Sequence, residues 1–509
     1  MAHGVVELGV AGGLHRRCVD VRVHLLQRPR QLFEVGAGLV ITELSGHHVG
    51  LVHQPSDHLG ELWRERKVGI PHAGIVGAMP ARMNIASAYT LEALDHGVRL
   101  ITAPLGQRNS ASVALMFKIG SRYEPERIAG VSHFVEHMVF KGSGRYPTAK
   151  AVAEAIEGVG GELNAATDKE TTVYWARVPG DKLANAIDVL TDIVQNPVLD
   201  PQEVEKERDV ILEELRMYLD SPGDHVHTLF EEELWPHHPL GIDIAGTEES
   251  VRAIGVDDIR RHLQENYLGS DLVVAVAGNV DHAAAIEMLR PTLAAWPEGR
   301  LPDFVPTEPL AAGSTVRLVT KPTEQAHVVF GTRCVDYHHP DRFALDLMNC
   351  VLGEGMSCRL FLEIREKLGL CYDIHSWTGR LADTGSAGVY LGTEPRRAQA
   401  AVEATMAQLH RICEEPVEKD ELNKAREYLK GHLLLRLEGT GSLATWLGGQ
   451  ELLTGRILEP DEIIEKLDAI TPDDIMRVAL ETYAHQPLRM AVIAPIEDSL
   501  GLQRAIAWS

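Results

Sequence analysis

Two periods of apolar residues run through the chain, and the switches between them predict its elements. After Tyr89, apolar runs at residues 98–102 and 113–117 read as strands. A helical stretch follows around His133, and another covers 149–158. Residues 162–167 and 171–178 read as strands on either side of the polar turn Asp168-Lys169-Glu170. Longer patterns predict helices at 181–195 and 201–219, and 273–277 is a further strand. Residues 296–310 then hold Pro297, Pro302, Pro306 and Pro309 and few apolar residues, a linker composition.

Beyond that linker the pattern restarts. Residues 316–319 match the first strand of the first half, and 328–330 match the second. A helix over 341–352 falls where the His133 helix fell, and another is predicted over 359–368, with strands following. The chain is therefore read as α+β, two similar halves of about 200 residues each. The boundaries are 89–296 and 313–509, joined by a linker at 297–312. Residues 1–88 fit neither period. They hold eight of the 24 histidines and one lysine, Lys67. The expectation is an extension that is disordered, or upstream sequence before a start near Met79 or Met83.

Composition narrows the function. Asp plus Glu total 73 against 49 Lys plus Arg, a net charge of −24, which argues against a nucleic-acid partner. No apolar run reaches the ~18 residues of a membrane span. Cys18, Cys334, Cys350, Cys358, Cys371 and Cys413 show no CxxC spacing, so reduced thiols and a cytoplasmic location are expected.

The chemistry gathers at His133-Phe134-Val135-Glu136-His137. Two histidines four apart share one helix face, so both imidazoles can reach one ion at ~2.0–2.1 Å. Glu136 borders that face, where a carboxylate can take a proton from an attacking water. Taken alone, the pattern also fits a solvated helix face. A third ligand is needed, and the helix at 201–219 lines up Glu203, Glu207, Val210 and Glu214 on one stripe. Glu207 and Glu214 can therefore serve one site, whereas Glu213 points about a third of a turn away, so Glu213 and Glu214 cannot both do so.

His133 to Met138 followed by Phe140-Lys141-Gly142 resembles the insulinase- or pitrilysin-type (M16) zinc metallopeptidases. In particular it is similar to the mitochondrial processing peptidase β-subunit and its bacterial homologues. The segment from Glu207 to Glu214 also looks like the family's, with 76 residues between His137 and Glu214. The resemblance covers about Tyr89 to the C-terminus. It implies two homologous α/β-roll halves, each a mostly antiparallel sheet with helices on one face, facing each other across a cleft. It implies one Zn2+ per chain on His133, His137 and Glu214, with Glu136 as general base and Glu207 orienting a ligand histidine. The second half lacks a histidine pair, so no second zinc is expected. Its Arg365 and Tyr372, seven apart, match a family signature that reaches the substrate and can donate hydrogen bonds to an oxyanion. Asn164 and Ala165 lie in a segment that looks like the family's substrate-binding strand. The implied function is a zinc endopeptidase acting on unfolded or presequence-like peptides, as a homodimer or with a paralogue. The alternative is a non-catalytic structural or substrate-presenting subunit of a processing-peptidase-like complex.

Overall fold

The computed structural model describes residues 89–508, Gln107 excepted; the expectations for residues 1–88, Cys18 included, lie outside the described residues. The predicted strand runs assemble into two sheets. β1 (Thr90–Ala93), β2 (Arg99–Pro104), β3 (Ser110–Phe117), β4 (Glu162–Thr167), β5 (Thr172–Pro179) and β6 (Leu272–Gly278) form the first, in the order β1-β2-β6-β3-β5-β4. β7 (Thr315–Thr320), β8 (Ala326–Cys334), β9 (Cys371–Arg380), β10 (Gly385–Thr393) and β11 (Arg489–Ala494) form the second, in the order β7-β11-β8-β10-β9. Without β1, the two orders are the same. Each sheet has one parallel pair, β2 with β6 and β7 with β11, among antiparallel ones. The restart of the sequence pattern is thus a repeat of topology.

The helices of the first half are α1 (Val131–Val139), α2 (Ala149–Glu157), α3 (Leu183–Gln195), α4 (Pro201–Asp220), α5 (Pro222–Leu234), α6 (Glu248–Ala253), α7 (Val256–Asn266) and α8 (His282–Leu293). Those of the second are α9 (Arg342–Gly353), α10 (Ala398–Glu414), α11 (Lys419–Arg436), α12 (Thr440–Thr454), α13 (Pro460–Ala469), α14 (Pro472–Ala479) and α15 (Leu500–Ala505). The predicted helix at 359–368 is instead a wider π-helical turn at Phe361–Lys367, where Leu368 N bonds to Glu363 O, five residues back.

One face of the first sheet is covered by its own half, as expected. Leu100, Val113, Leu115 and Phe117 are buried in one cluster with Phe134 and Val135 of α1 and Ile187 and Leu190 of α3. The other face is covered from the opposite half, which the sequence pattern did not predict. α12 crosses over and packs on β3 and β6, burying Leu443, Ala444 and Leu447 with Ala114, Met116 and Ala275. Each buried leucine of this kind contributes about 1.5–3 kcal/mol. α5 makes the reciprocal crossing: Val226 and Phe230 pack on Val329, Tyr390, Ala491 and Ile493 of the second sheet. The two halves therefore clasp one another through exchanged helices. The proline-containing segment between them is pinned rather than free, since Arg333 bonds to Glu308 O and Thr307 N bonds to Asp383 Oδ2 at 2.8 Å.

Candidate metal centre

The site is built on α1, and the start of that helix is set by Gly130. Its φ of 93° is left-handed, and a Cβ there would lie 2.4 Å from Ala245 O. The first N–H groups of a helix lack intrahelical acceptors. Glu124 accepts from two of the N–H groups here, Gly130 N at 2.5 Å and Ser132 N at 2.7 Å. Burial pushes the Glu124 carboxyl up to about 7 despite those hydrogen bonds. The helix then buries Phe134, Val135 and Met138 against the sheet, and its other stripe brings His133 and His137 to α4.

α4 begins cleanly, with Pro201 in its first turn and the Asp200 side chain accepting from Gln202 N at 2.7 Å. It buries Val204, Ile211 and Leu212 and turns Glu207 and Glu214 to α1. Glu213 points away, exposed and paired with Arg216.

Three donor atoms converge. His133 Nε2 and His137 Nε2 are 3.2 Å apart, and Glu214 Oε2 lies 3.7 Å from the first and 3.6 Å from the second. Atoms ~2.0–2.1 Å from one tetrahedral ion are roughly 3.3–3.4 Å apart. The trio fits a zinc ion on those terms, and among the described residues it is the His/Cys/Asp/Glu group close enough to hold a metal. The tautomer fits as well. His137 Nδ1 donates to Glu207 Oε1 at 2.8 Å, which leaves the Nε2 lone pair facing the other donors. Lys141 pairs with the second oxygen of Glu207. Burial would raise the Glu207 pKa, but the bonds from His137 and Lys141 outweigh it and hold the carboxyl below its ordinary range.

Glu136 lies beside this trio and is buried, accepting a 2.6 Å hydrogen bond from Thr167 Oγ1 at the end of β4. β4 is the edge strand of its sheet. Asn164 on it is exposed and turns its Oδ1 to Ala165 N at 2.8 Å. Arg365 and Tyr372 come together in the second half, with the guanidinium 5.3 Å from the Tyr372 ring centroid and 4.6 Å from that of Phe361. Tyr372 is 74% exposed. Thr167, Lys141 and Glu124 were missed in the sequence. Lys141 continues the i, i+4 stripe of His133 and His137 and could have been found; the other two have no local signal, because their partners are set by tertiary packing.

Comparison with known proteins is direct. The model of insulinase (peptidase family M16) matches residues 100–248, and that of the peptidase M16 inactive domain matches 253–429. An uncharacterized zinc protease of Streptomyces coelicolor is 37% identical over 411 residues, 80% of this chain and 89% of that protein. The chain belongs to peptidase family M16. A second relative, the uncharacterized zinc protease YmxG of Bacillus subtilis, is 33% identical over 406 residues, 79% of this chain and 97% of its own. The crystal structure of a protease from Helicobacter pylori has the same fold, with a TM-score of 0.76 at 22% identity, covering 80% of this chain and 99% of that one. All three donor residues of this M16 chain lie in the first match, and Arg365 and Tyr372 lie in the second. The second match also takes in β6, although that strand completes the first sheet. Among the described residues, no helix is long and apolar enough to cross a membrane.

Proposed function

We propose that this M16 chain is a zinc endopeptidase that binds one zinc ion on His133, His137 and Glu214. The observation that carries this reading is the convergence of those three donors beside a fourth, buried carboxylate, Glu136. Zinc, when bound there, supplies Lewis-acid polarisation of a carbonyl and acidification of water. Glu136 accepts the proton of the attacking water and passes it to the leaving amine. The Thr167 hydroxyl donates to Glu136 and helps to orient its carboxylate for that transfer. Glu207 fixes the His137 ring. An extended substrate adds to the free edge of β4, with Asn164 and Ala165 along it. Tyr372 and Arg365 donate to the oxyanion from the second half; their mutual contact and the exposure of Tyr372 support this role.

Unfolded or presequence-like peptides are the substrates this reading favours, because a strand-adding segment must be extended. Pairing with a second copy or a paralogue completes the enclosure around the cleft. A cytoplasmic location is supported by the free thiols of Cys350, Cys358, Cys371 and Cys413 among the described residues.

The test is metal analysis followed by a peptide-library digest read by mass spectrometry. The expected result is about one zinc per chain, and cleavage that Glu136→Gln abolishes. Glu214→Ala should lose the metal, whereas Glu213→Ala should keep it. A purified chain with no zinc and no cleavage would instead favour the non-catalytic subunit.

A further inference from the structure

Arg122 is the most deeply buried cation of the first half, with its side chain 0% exposed. It sits in the turn after β3, and its guanidinium holds two carboxylates at 2.6 Å: Glu170 of the first half and Asp383 of the second. It also donates to Val305 O at 3.1 Å and lies 3.8 Å from the Phe304 ring centroid. Both of the latter belong to the segment between the halves. Each carboxylate in turn receives a second group. Glu170 accepts from Ala382 N at 3.1 Å, and Asp383 accepts from Thr307 N at 2.8 Å. One buried ion cluster therefore ties the first half, the linker and the β9–β10 turn together.

Two short stretches of chain lead from this cluster to the site. Glu124, two residues after Arg122, holds the first N–H groups of α1 just before His133. Thr167, three residues before Glu170, holds Glu136. The stretches are locked side by side, since Ser121 N bonds to Asp168 O at 3.1 Å and Arg122 N to Lys169 O at 2.8 Å. A Cβ at Gly120 would lie 2.1 Å from Asp168 O, so the two have no slack between them. The segments that hold the metal helix and the base are thus the same segments that grip the second half.

We infer that Arg122, Glu170 and Asp383 form a positioning cluster, by which docking of the second half sets the placement of α1 and of Glu136. This rests on the zinc peptidase reading for its effect on turnover, though not for its effect on metal binding. None of the three touches the donor atoms, so they act through Glu124 and Thr167.

Other contacts between the halves supply the control. Arg99 and Glu451 also pair across them, at 3.0 Å, but through β2 and α12, which contribute no residue to the site. The experiment compares Asp383→Ala with Glu451→Gln in the full-length protein. Zinc affinity is read by competition with a chromogenic chelator, and kcat and KM by peptide cleavage. Supporting partners of a metal site are worth about 10–100-fold when lost. Asp383→Ala is expected to weaken zinc binding about tenfold at the low end of that range, and to lower kcat with KM little changed. Asp383→Glu should recover much of the loss, and Glu451→Gln should sit near wild type. Circular dichroism melting confirms that each variant is folded; where Asp383→Ala is not, Asp383→Asn is read in its place. Unchanged zinc affinity in the Asp383 variants, or an equal loss in Glu451→Gln, overturns the inference. Because affinity is read without turnover, a protein that binds zinc yet cleaves nothing would break the peptidase reading while the affinities still judge the cluster.

Discussion

α1 and α9 occupy the same place in two copies of one topology, and they have been given opposite tasks. In both, a polar side chain of the helix is hydrogen-bonded at 2.6 Å to a hydroxyl on the edge strand. In the first half Glu136 accepts from Thr167 on β4; in the second Asn349 accepts from Ser376 on β9. Around Glu136 stand His133, His137 and, from α4, Glu214. Around Asn349 stand buried Leu345, Met348 and Leu352, and its amide donates to Glu354 at 2.6 Å. The scaffold uses the helix–strand hydrogen bond twice, but among the described residues metal-donor side chains converge beside it only in the first half. A neutral amide with both ends satisfied is a structural element. A buried carboxylate beside three convergent donors is, on the proposed reading, the general base.

The sharpest way to break this comparison is to remove both groups in turn. Glu136→Gln preserves size and the Thr167 contact but cannot take a proton. Peptide cleavage should fall by at least ~100-fold with zinc content unchanged. Asn349→Ala should leave zinc binding alone and cost about 1–3 kcal/mol in denaturant unfolding, as the buried Ser376 hydroxyl loses its 2.6 Å acceptor and keeps only the Asn349 carbonyl at 3.4 Å. If Glu136→Gln cleaves at near the normal rate, the two helices do not differ as argued.

The next largest contrast lies along α4. Glu207→Gln should weaken zinc binding about 10–100-fold, since a neutral amide oxygen accepts from His137 more weakly than a carboxylate and the ion pair with Lys141 is lost. Glu213→Gln, on the exposed side and paired only with Arg216, should change zinc affinity by less than about twofold. Equal effects from the two would mean that the orientation of His137 contributes nothing.

What could be read from the sequence follows the same division. His133, Glu136, His137 and the stripe of α4 are local facts of helical spacing, so periodicity was enough to place them on faces. The repeat was legible because strand order is written in the order of apolar runs. The Thr167 and Glu124 contacts were not legible, because they join residues 31 and 8 positions apart through turns that no period describes. Nor were the exchanged helices. α12 is buried on nearly every side, so it carries no one-sided stripe, and nothing in a helix's own pattern says which sheet will cover it. The width of the turn at Phe361–Lys367 was missed because seven residues are too few for an apolar period to tell a π-helical turn from an α-helix.

Those exchanged helices give a third, smaller contrast. α12 comes closest to the first sheet at Gly448, where a Cβ would lie 2.5 Å from Met116 Sδ and 3.1 Å from Ala275 Cβ. α5 meets the second sheet with rings: His227 is 5.4 Å from Tyr390 and 5.2 Å from Trp377, centroid to centroid. At Gly448 the first contact depends on close approach, whereas at His227 the second depends on stacked rings. Gly448→Val should therefore overpack its interface and cost about 1–3 kcal/mol. Its cost should be the same at pH 7 and pH 5.5, because the side chains it meets do not titrate. A Gly448→Val protein as stable as wild type would show that α12 has room to move.

The α5 contact should respond to acid where the α12 contact does not. Burial, with His375 and His327 nearby and only partly offset by Asp224, lowers the His227 pKa to about 4 from the ordinary 6.5. Between those values the unfolded chain binds a proton that the folded chain refuses. Stability from this residue is therefore present above pH 6.5 and is lost as the pH falls toward 4. From pH 7 to pH 5.5 the loss is on the order of 1 kcal/mol. His227→Phe keeps a ring against Tyr390 and Trp377 but has no proton to bind, so its unfolding free energy should fall less over that interval. The buried His262, whose pKa burial also lowers to about 4, titrates in both proteins, so the difference between their curves isolates His227. Parallel curves would mean that His227 accepts its proton without leaving the interface, and that the α5 contact is as indifferent to pH as the α12 contact.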